Sequence, residues 1–493
     1  MKDVKNLLSV VTIIVALFCS RLNAAVYSLN AIIDSATTKH SKIQQYKERI
    51  AAKKYDVKAA TGNYMPSLTL SGSFNRINDP LTINLDPIRE AMIGLEANDI
   101  VQMESIKAKI AGGSYIVNGS PLYNTYYTGA VSSLENKLPH FVDTLKDVQY
   151  PSLSLTLVQP LFTGFKITAG RKAAKADLEV SMNEYRKIQN ELIRDIAVNY
   201  INLIVEKNAV QIRTDVLEGM MQHKKRAQIL SDNGMISANQ VLRAKVAVAE
   251  AQRNLDFEVN RLELLYVTMN KMCCIDDSVK IEPQQQLNYT TVTDSLEKII
   301  ALAMENHPVF GMLKNNYIMA KQKNIASKAV FYPQVNAFGK YEVFRDYLSA
   351  MEPQWVVGVQ ASLPLFSGGK NIAAMHASSH TVNEVHQMEL SAQRDITLLI
   401  NKHFREMKSA ENRYLHLDSD IELANENLFQ CKSRFESGYG TSLEIIDAEL
   451  VLEKNRMERT AALGEYYKSI VEMYTAAGLP LLSVTLIEGS AVK

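Results

Sequence analysis

Proline is missing from two tracts of this chain that each exceed a hundred residues, between Pro160 and Pro283 and between Pro364 and Pro480. Inside a helix proline removes a hydrogen bond and clashes with the preceding turn, so its absence over such lengths predicts very long helices. From about Ile167 to Asp232, and again from Ile372 to Ser437, apolar positions recur at spacings of three and four, as in Ile193, Ala197, Tyr200 and Ile204. At 1.5 Å per residue, each tract makes a helix of roughly 100 Å, longer than a single globular core. Both stop at glycine turns, Asp232-Asn233-Gly234 and Ser437-Gly438-Tyr439-Gly440. Each then reverses, giving helical hairpins over about 167–272 and 372–476.

The two tracts belong to a duplication. Adding 267 to Leu29, Ile32, Ile33, His40 and Pro66 gives Leu296, Ile299, Ile300, His307 and Pro333. Further along the offset is 204, where Pro160-Leu161-Phe162-Thr163-Gly164 matches Pro364-Leu365-Phe366-Ser367-Gly368. That register holds through Gly234 and Gly438 to Ala244 and Ala448. A self-match of this kind defines two structural repeats, 25–286 and 287–481, followed by a tail at 482–493. The change of offset leaves about 63 extra residues in the first repeat, between Pro66 and Pro160.

Each repeat reads helix, two strands, long helix, turn, helix. The first helices are expected over roughly 28–63 and 295–330. Strands are expected at about 67–75 and 150–160, and at about 334–343 and 354–364. Leu68 and Leu70 alternate with Ser67, Thr69 and Ser71, and Ser152, Ser154 and Thr156 alternate with Leu153, Leu155 and Leu157. Period-two alternation makes one apolar and one polar face. Such strands suit a membrane barrel and, equally, a half-buried soluble sheet. Trp355, Tyr341 and Tyr150 fall at strand ends, where a barrel carries its aromatic girdle. The extra segment, about 76–149, joins the first pair of strands and is expected to be extracellular if they sit in a membrane. Within it Asp86 to Ile110 predicts an amphipathic helix with Ile88, Met92, Leu95, Met103 and Ile110 as its apolar face.

Residues 1–24 read as a secretory signal, with Lys2 and Lys5, an apolar core from Leu7 to Phe18, and Leu22-Asn23-Ala24 before the cleavage point. The core is short of the ~20 residues that span a bilayer. The remainder keeps Cys273, Cys274 and Cys431, an odd set with neither a disulfide framework nor zinc spacing. No later segment reads as a transmembrane helix, so an exported chain of this kind spans a membrane with strands or not at all. Basic and acidic residues nearly cancel, 54 against 53, which leaves no charge excess for nucleic acid. Fingerprints of zinc proteases, α/β-hydrolases, P-loops and dinucleotide folds are missing, so no catalytic residue, cofactor or enzyme activity is assigned. His376, His380 and Glu384 lie four apart on one stripe, a spacing read as solvated surface or helix packing and not as a metal site.

Four strands cannot close a barrel, because the smallest need about eight. An open edge in lipid would strand backbone groups at several kcal/mol each. Strands set in a membrane therefore require two, three or four copies that close jointly.

With these features the chain resembles the outer-membrane efflux protein family, the TolC-like channel-tunnels of Gram-negative bacteria. The resemblance is carried by the paired segments 160–164 and 364–368, by Glu305-Asn306-His307-Pro308, and by the two tip turns, the second running on into Leu443-Glu444-Ile445-Ile446-Asp447-Ala448. It implies a mostly α protein with a transmembrane β part. Three copies would close one twelve-stranded outer-membrane barrel that continues into a twelve-helix periplasmic tunnel. It further implies a passive exit duct of a tripartite efflux pump or type I secretion system, opened when a periplasmic adaptor and an inner-membrane transporter dock. Aligned from Gly438, Glu444 and Asp447 fall where the family places an acidic ring at the periplasmic aperture. The first repeat has Gln240 and Arg243 there. A solvated helix face is the other reading of such a pair. Asn233, Gly234 and Met235, with Gly438, Tyr439 and Gly440, resemble adaptor-docking tips, although turn chemistry alone would also place glycine there. The alternative to a duct is a non-conducting tether across the periplasm. A tether needs no polar strand face, and Ser152, Ser154, Thr156, Asn336, Lys340 and Gln360 supply one.

Overall fold

A computed structural model describes residues 25–276, 279–284, 286–345, 348 and 352–489; the signal segment read at 1–24 lies outside the described residues. The first repeat comprises β1 (Ala25–Tyr27), α1 (Leu29–Lys39), α2 (Ser41–Gly62), β2 (Ser67–Arg76), β3 (Leu81–Asn84), α3 (Asp86–Ile110), α4 (Pro121–Glu135), β4 (Val142–Lys146), β5 (Gln149–Thr163), α5 (Lys166–Asp232) and α6 (Ala238–Cys273). After β6 (Ile281–Pro283) the second comprises α7 (Leu296–Asn306), α8 (Pro308–Lys328), β7 (Gln334–Glu342), β8 (Trp355–Ser362), α9 (Lys370–Glu436) and α10 (Ser442–Ala476), and α11 (Pro480–Ile487) follows. The chain divides into a helical unit (up to Ala60, Thr168–Ser327 and from Gly368) and a β unit (Thr61–Ile167 and Lys328–Ser367).

In the helical unit α5 and α9 each run for 67 residues. No helix among the described residues is long and apolar enough to cross a membrane. Ile193, Ala197, Tyr200 and Ile204 are all buried, in a core shared with Leu29, Ile32, Ile400 and Ile470. Two tyrosines of α10 fasten the connection between the repeats: Tyr466 donates to the Thr290 carbonyl (2.8 Å) and Tyr474 to the Asp294 carboxylate (2.7 Å). The expected tail enters this core, because Val484 and Ile487 of α11 are buried.

The first helix of each repeat differs from expectation. It is cut in two at His40 and at His307, the pair related by 267, where the backbone turns extended (ψ 129° and 123°). Each histidine N–H closes the preceding helix onto Ala36 or Ala303. Each ring Nδ1 accepts the N–H two residues on, from Lys42 (3.2 Å) or Val309 (3.3 Å), and so caps the next helix. Burial pushes the His307 ring down to about 4, which keeps it a neutral acceptor.

In the β unit one antiparallel sheet has the order β2-β5-β7-β8. Ser67 pairs with Val158 in the first repeat and Gln334 with Ser362 in the second. Those pairs coincide under the 267 and 204 offsets, so both strand pairs have one register. The insertion holds α3 packed on α4 and a separate β3–β4 ladder. Its buried stripe is Arg89, Ile93, Ala97, Val101 and Ser105, whereas Ile88, Met92, Leu95, Met103 and Ile110 are exposed. The expected face is therefore reversed. The stripe combines apolar packing of Ile93 and Ala97 on α4 with hydrogen bonds: the Arg89 guanidinium donates to the carbonyls of Glu135 (2.8 Å) and Leu138 (2.8 Å), and Ser105 accepts from the Ile116 N–H.

Candidate functional site: strand faces and hairpin tips

The sheet register sorts side chains onto two faces. One carries Leu68, Leu70, Phe74, Leu155, Leu157, Tyr341, Trp355, Val357 and Val359, most of them exposed. The other carries Ser71, Ser73, Ser152, Ser154, Thr156, Lys340, Asn336 and Gln360, with Thr156 opposite Lys340 and Asn336 opposite Gln360. Phe338 is an aromatic member of this face, and its ring lies over Gly358, where an added Cβ would sit 3.0 Å from it. Tyr341 and Trp355 pair directly at the end of the apolar face. Tyr150 does not join them. Its parity sets it with Ser152 and Ser154 on the polar face, under the Lys146 ammonium (5.4 Å).

Both hairpin tips of the helical unit close in the same way. At the first, the N–H of Gly234 bonds the Ser231 carbonyl (2.9 Å) and that of Met235 the Leu230 carbonyl (2.9 Å). At the second, Gly438 bonds Phe435 (3.1 Å) and Tyr439 bonds Arg434 (3.0 Å). These are Schellman turns, which need a left-handed residue. Gly234 and Gly438 supply it, with φ of +74° and +80°. Gly440 serves differently: an added Cβ would come 2.8 Å from the Phe435 nitrogen. Asn233, by contrast, bonds back to Ile229. Met235 and Tyr439 are left exposed.

Behind the turns, Ala227, Leu230, Val241, Ala244, Leu428, Phe435, Ile445 and Ala448 form one small core from all four long helices. Polar contacts fix how the hairpins meet. The Ser442 N–H donates to Gln240 Oε1 (2.9 Å) and its hydroxyl to the Gln240 carbonyl (3.1 Å), while His223 Nε2 lies 3.1 Å from that hydroxyl. Burial, with Lys432 nearby, lowers the His223 ring to about 4, so it is the neutral imidazole N–H that donates. Gln240 thus caps the opposite hairpin. Its counterpart Glu444 stays at home: Thr441 Oγ1, the N-cap, accepts its N–H (3.3 Å) and lies 3.3 Å from its Oε1, and Arg434 lies 3.6 Å from its carboxylate. Asp447 is exposed on the same face and forms no ion pair among the described residues. His376, His380 and Glu384 are exposed along α9.

Sequence reasoning misses a buried charge cluster between α5, α6 and α10. Arg213 bonds Glu453 and Glu258 (3.3 Å), and Arg261 lies 3.3 Å from Glu206 and 3.8 Å from Glu258. All three glutamates are buried. No periodic signal distinguishes them from solvated charges. Burial pushes Glu206 up to about 7, helped by a hydrogen bond to Glu258 that only its protonated form donates. A carboxyl raised in the fold loses stability as pH climbs from its unfolded value toward its folded one. Glu206→Gln keeps the protonated shape, so it should melt like the parent near pH 4.5 and above it at pH 8, by on the order of 2 kcal/mol. Parallel pH–melting curves for the two proteins would contradict this.

Three comparisons place this geometry among known proteins. The profile of the family described as outer membrane efflux protein matches residues 128–257 and 300–479. The alkaline protease secretion protein AprF of Pseudomonas aeruginosa is 21% identical over 354 residues, which cover 68% of this chain and 72% of AprF. Among solved structures, the outer membrane protein VceC of Vibrio cholerae superposes with a TM-score of 0.69 at 15% identity, covering 91% of this chain and 96% of VceC. A membrane protein from Pseudomonas aeruginosa superposes with a TM-score of 0.70 at 14% identity, over 92% and 90% of the two chains. The matched segments take in the whole of the second long hairpin, most of the first and most of the second repeat, and on that extent the chain belongs to the outer membrane efflux protein family.

Proposed function

We propose that this chain forms one third of a channel-tunnel, the passive exit duct of a tripartite efflux pump or type I secretion system. Family membership makes it a transport protein of the Gram-negative outer membrane and not an enzyme. The observation that carries the finer reading is the open sheet, whose apolar face spans all four strands opposite a Ser, Thr, Asn, Gln and Lys face. Lipid outside and water inside is the environment such a sheet fits. Three copies supply twelve strands for one barrel and twelve long helices for the tunnel. A tether would have no use for the polar face, which favours the duct. AprF is by name a secretion protein, so exported polypeptides belong among the cargoes to be tried beside small drugs.

The tips Asn233, Gly234, Met235, Gly438, Tyr439 and Gly440 are the proposed docking points for a helical-hairpin adaptor that links the duct to an inner-membrane transporter. Exposed Met235 and Tyr439, held on rigid Schellman turns, suit such a partner. Glu444 and Asp447 are the proposed aperture ring. Because the Glu444 carboxylate is engaged by the Thr441 hydroxyl and by Arg434, Asp447 supplies the freer charge.

Single-channel recording in planar bilayers tests both parts. The mature protein should form cation-selective channels. Asp447→Asn should remove most of that selectivity, and adding Glu444→Gln should change it little further. Silence from the mature protein and from the double variant, with oligomers inserted, would return the tether to first place.

A further inference from the structure

Helix α3 carries two apolar stripes, and one chain uses only the first. Ile93 and Ala97 lie on the buried stripe and pack on α4. On the opposite side Ile88, Met92, Leu95, Met103, Ile106 and Ile110 are 48–81% exposed. These positions repeat at eleven residues: Met92 with Met103, Leu95 with Ile106, and Ile88 with Ile110 by way of Asp99. Eleven residues make close to three turns, so the stripe runs straight along the 25-residue helix, for roughly 37 Å. At 100° per residue it fills an arc of about 80°, the narrow seam of a helix that meets other helices. A lipid surface fits it poorly. Helices that lie on membranes set Lys and Arg beside their apolar face. α3 has Asp86, Glu90, Glu96, Asp99 and Glu104 against Arg89, Lys107 and Lys109, a net charge of −2, with Asp99 in the middle of the seam. The root of the helix is fixed. Beyond Arg76 and Gln149 the β2–β5 ladder continues through the Ile77 N–H on the Val148 carbonyl (2.9 Å) into β3 and β4. There the Leu85 N–H donates to the Phe141 carbonyl (2.8 Å), and the Asp86 carboxylate accepts the Phe141 N–H (2.9 Å). Thus α3 rises from β2, an edge of the open sheet, where joint closure brings the next copy.

We infer that the outward seam of α3 packs on the same seam of two further copies of this chain, as a parallel three-helix cap over the extracellular mouth of the duct. The cap rests on the threefold duct proposed above. Three equivalent seams can all face one another only around the symmetry axis, and that axis is the line of the lumen. The helices rise from the same end of the sheet, so they run parallel and set like residues in one layer, Leu95 with Leu95 and Ile106 with Ile106. Layers of Met92 and Met103 adapt to an imperfect fit. Asp99 has a different part. One polar layer in an apolar seam fixes register and costs stability, and here three like charges share it. The cap is thereby held but openable. Cargo leaving the tunnel parts three helices, each of which stays folded on its own α4.

Single cysteines in the full chain, in a background lacking Cys273, Cys274 and Cys431, test the seam. Leu95→Cys and Ile106→Cys should each give covalent dimers under oxidant, reversed by reductant, because three thiols in one layer can form one disulfide at a time. Thr125→Cys, exposed on the side of α4 turned away from α3, should not. Trimers captured by an amine-reactive cross-linker, with no dimer from either seam position, overturn the cap and leave the duct. Equal dimers from Thr125→Cys mark chance collision and overturn it too. Quenching of a fluorophore on Leu95→Cys by spin-labelled lipid would give the seam to the membrane surface instead. Monomers under every reagent overturn the duct, and the cap with it. A second measurement reads occlusion. Ser71→Cys lies on the polar strand face, and a bulky membrane-impermeant maleimide offered to intact cells must pass the cap to reach it. Leu95→Lys with Ile106→Lys, both exposed in the single chain, should leave the trimer in place and speed that labelling several-fold. An unchanged rate would show that the helices do not close the mouth.

Discussion

Gly438→Asp and Gly234→Asp should each abolish transport while the assembled protein stays in the membrane. Both glycines have open space where a Cβ would go, and both hold a left-handed φ. Aspartate accepts that conformation better than most residues, so the local cost is about 1 kcal/mol or less. The fold behind the turn does not touch the new side chain. Its carboxylate would instead project between the turn and any helix that packs on Met235 or Tyr439. A partner that covers it must bury an unpaired charge, at several kcal/mol. Docking is the step that fails. Gly440→Ala separates this from damage to the turn, because its Cβ would press on the Phe435 backbone and open the second tip itself. Drug susceptibility and polypeptide export, measured in a host without its own duct beside the trimer band, read the result. Parental transport by both aspartate variants would show that the tips are not docking points.

Much of the molecule is legible in sequence because it is written twice. The match of His40 to His307 marks a break that helical periodicity conceals, since the capping role of an imidazole Nδ1 leaves no trace in hydropathy. The strand alternation sorts Leu68 from Ser67, and the offsets alone reproduce the pairing of Ser67 with Val158 and of Gln334 with Ser362. Where there is no second copy, reading by residue size misleads. In α3 Ile88, Met92, Leu95, Met103 and Ile110 lie outward, and the buried stripe is made by Ile93, Ala97 and Val101 with the hydrogen-bonding Arg89 and Ser105. Tyr150 sits near a strand end, which suggests the girdle, but parity is what sets its face. Interactions between distant segments are illegible for a different reason. Gln240 and Glu444 are equivalent in sequence, yet the side chain of one caps the other hairpin and that of the other stays with Thr441 and Arg434 of its own, and only the packing of the tips decides which.

Arg213→Ala should destabilise the helical unit by about 3–5 kcal/mol, the usual consequence of stripping one partner from a buried ion pair. The arginine lies between Glu453 and Glu258, both nearly free of solvent, and joins α5 to α10 and α6. Burial already holds the Glu453 carboxyl above its ordinary range even with the guanidinium beside it, so its removal leaves Glu453 to ionise uncompensated or stay protonated, while Glu258 keeps only Arg261 at 3.8 Å. The sign of the pH dependence follows. Near pH 5 the orphaned Glu453 carboxyl takes up a proton cheaply and the deficit shrinks, and at pH 8 it stands in full. Thermal melts of the detergent-solubilised protein at both values read this difference. Arg213→Met combined with Glu453→Leu removes the pair together and should recover most of the loss, since apolar groups of similar volume often replace a buried ion pair at no cost. If the double variant melts no higher than Arg213→Ala, the pair itself stabilises the fold, and charge burial is not what the single variant exposes.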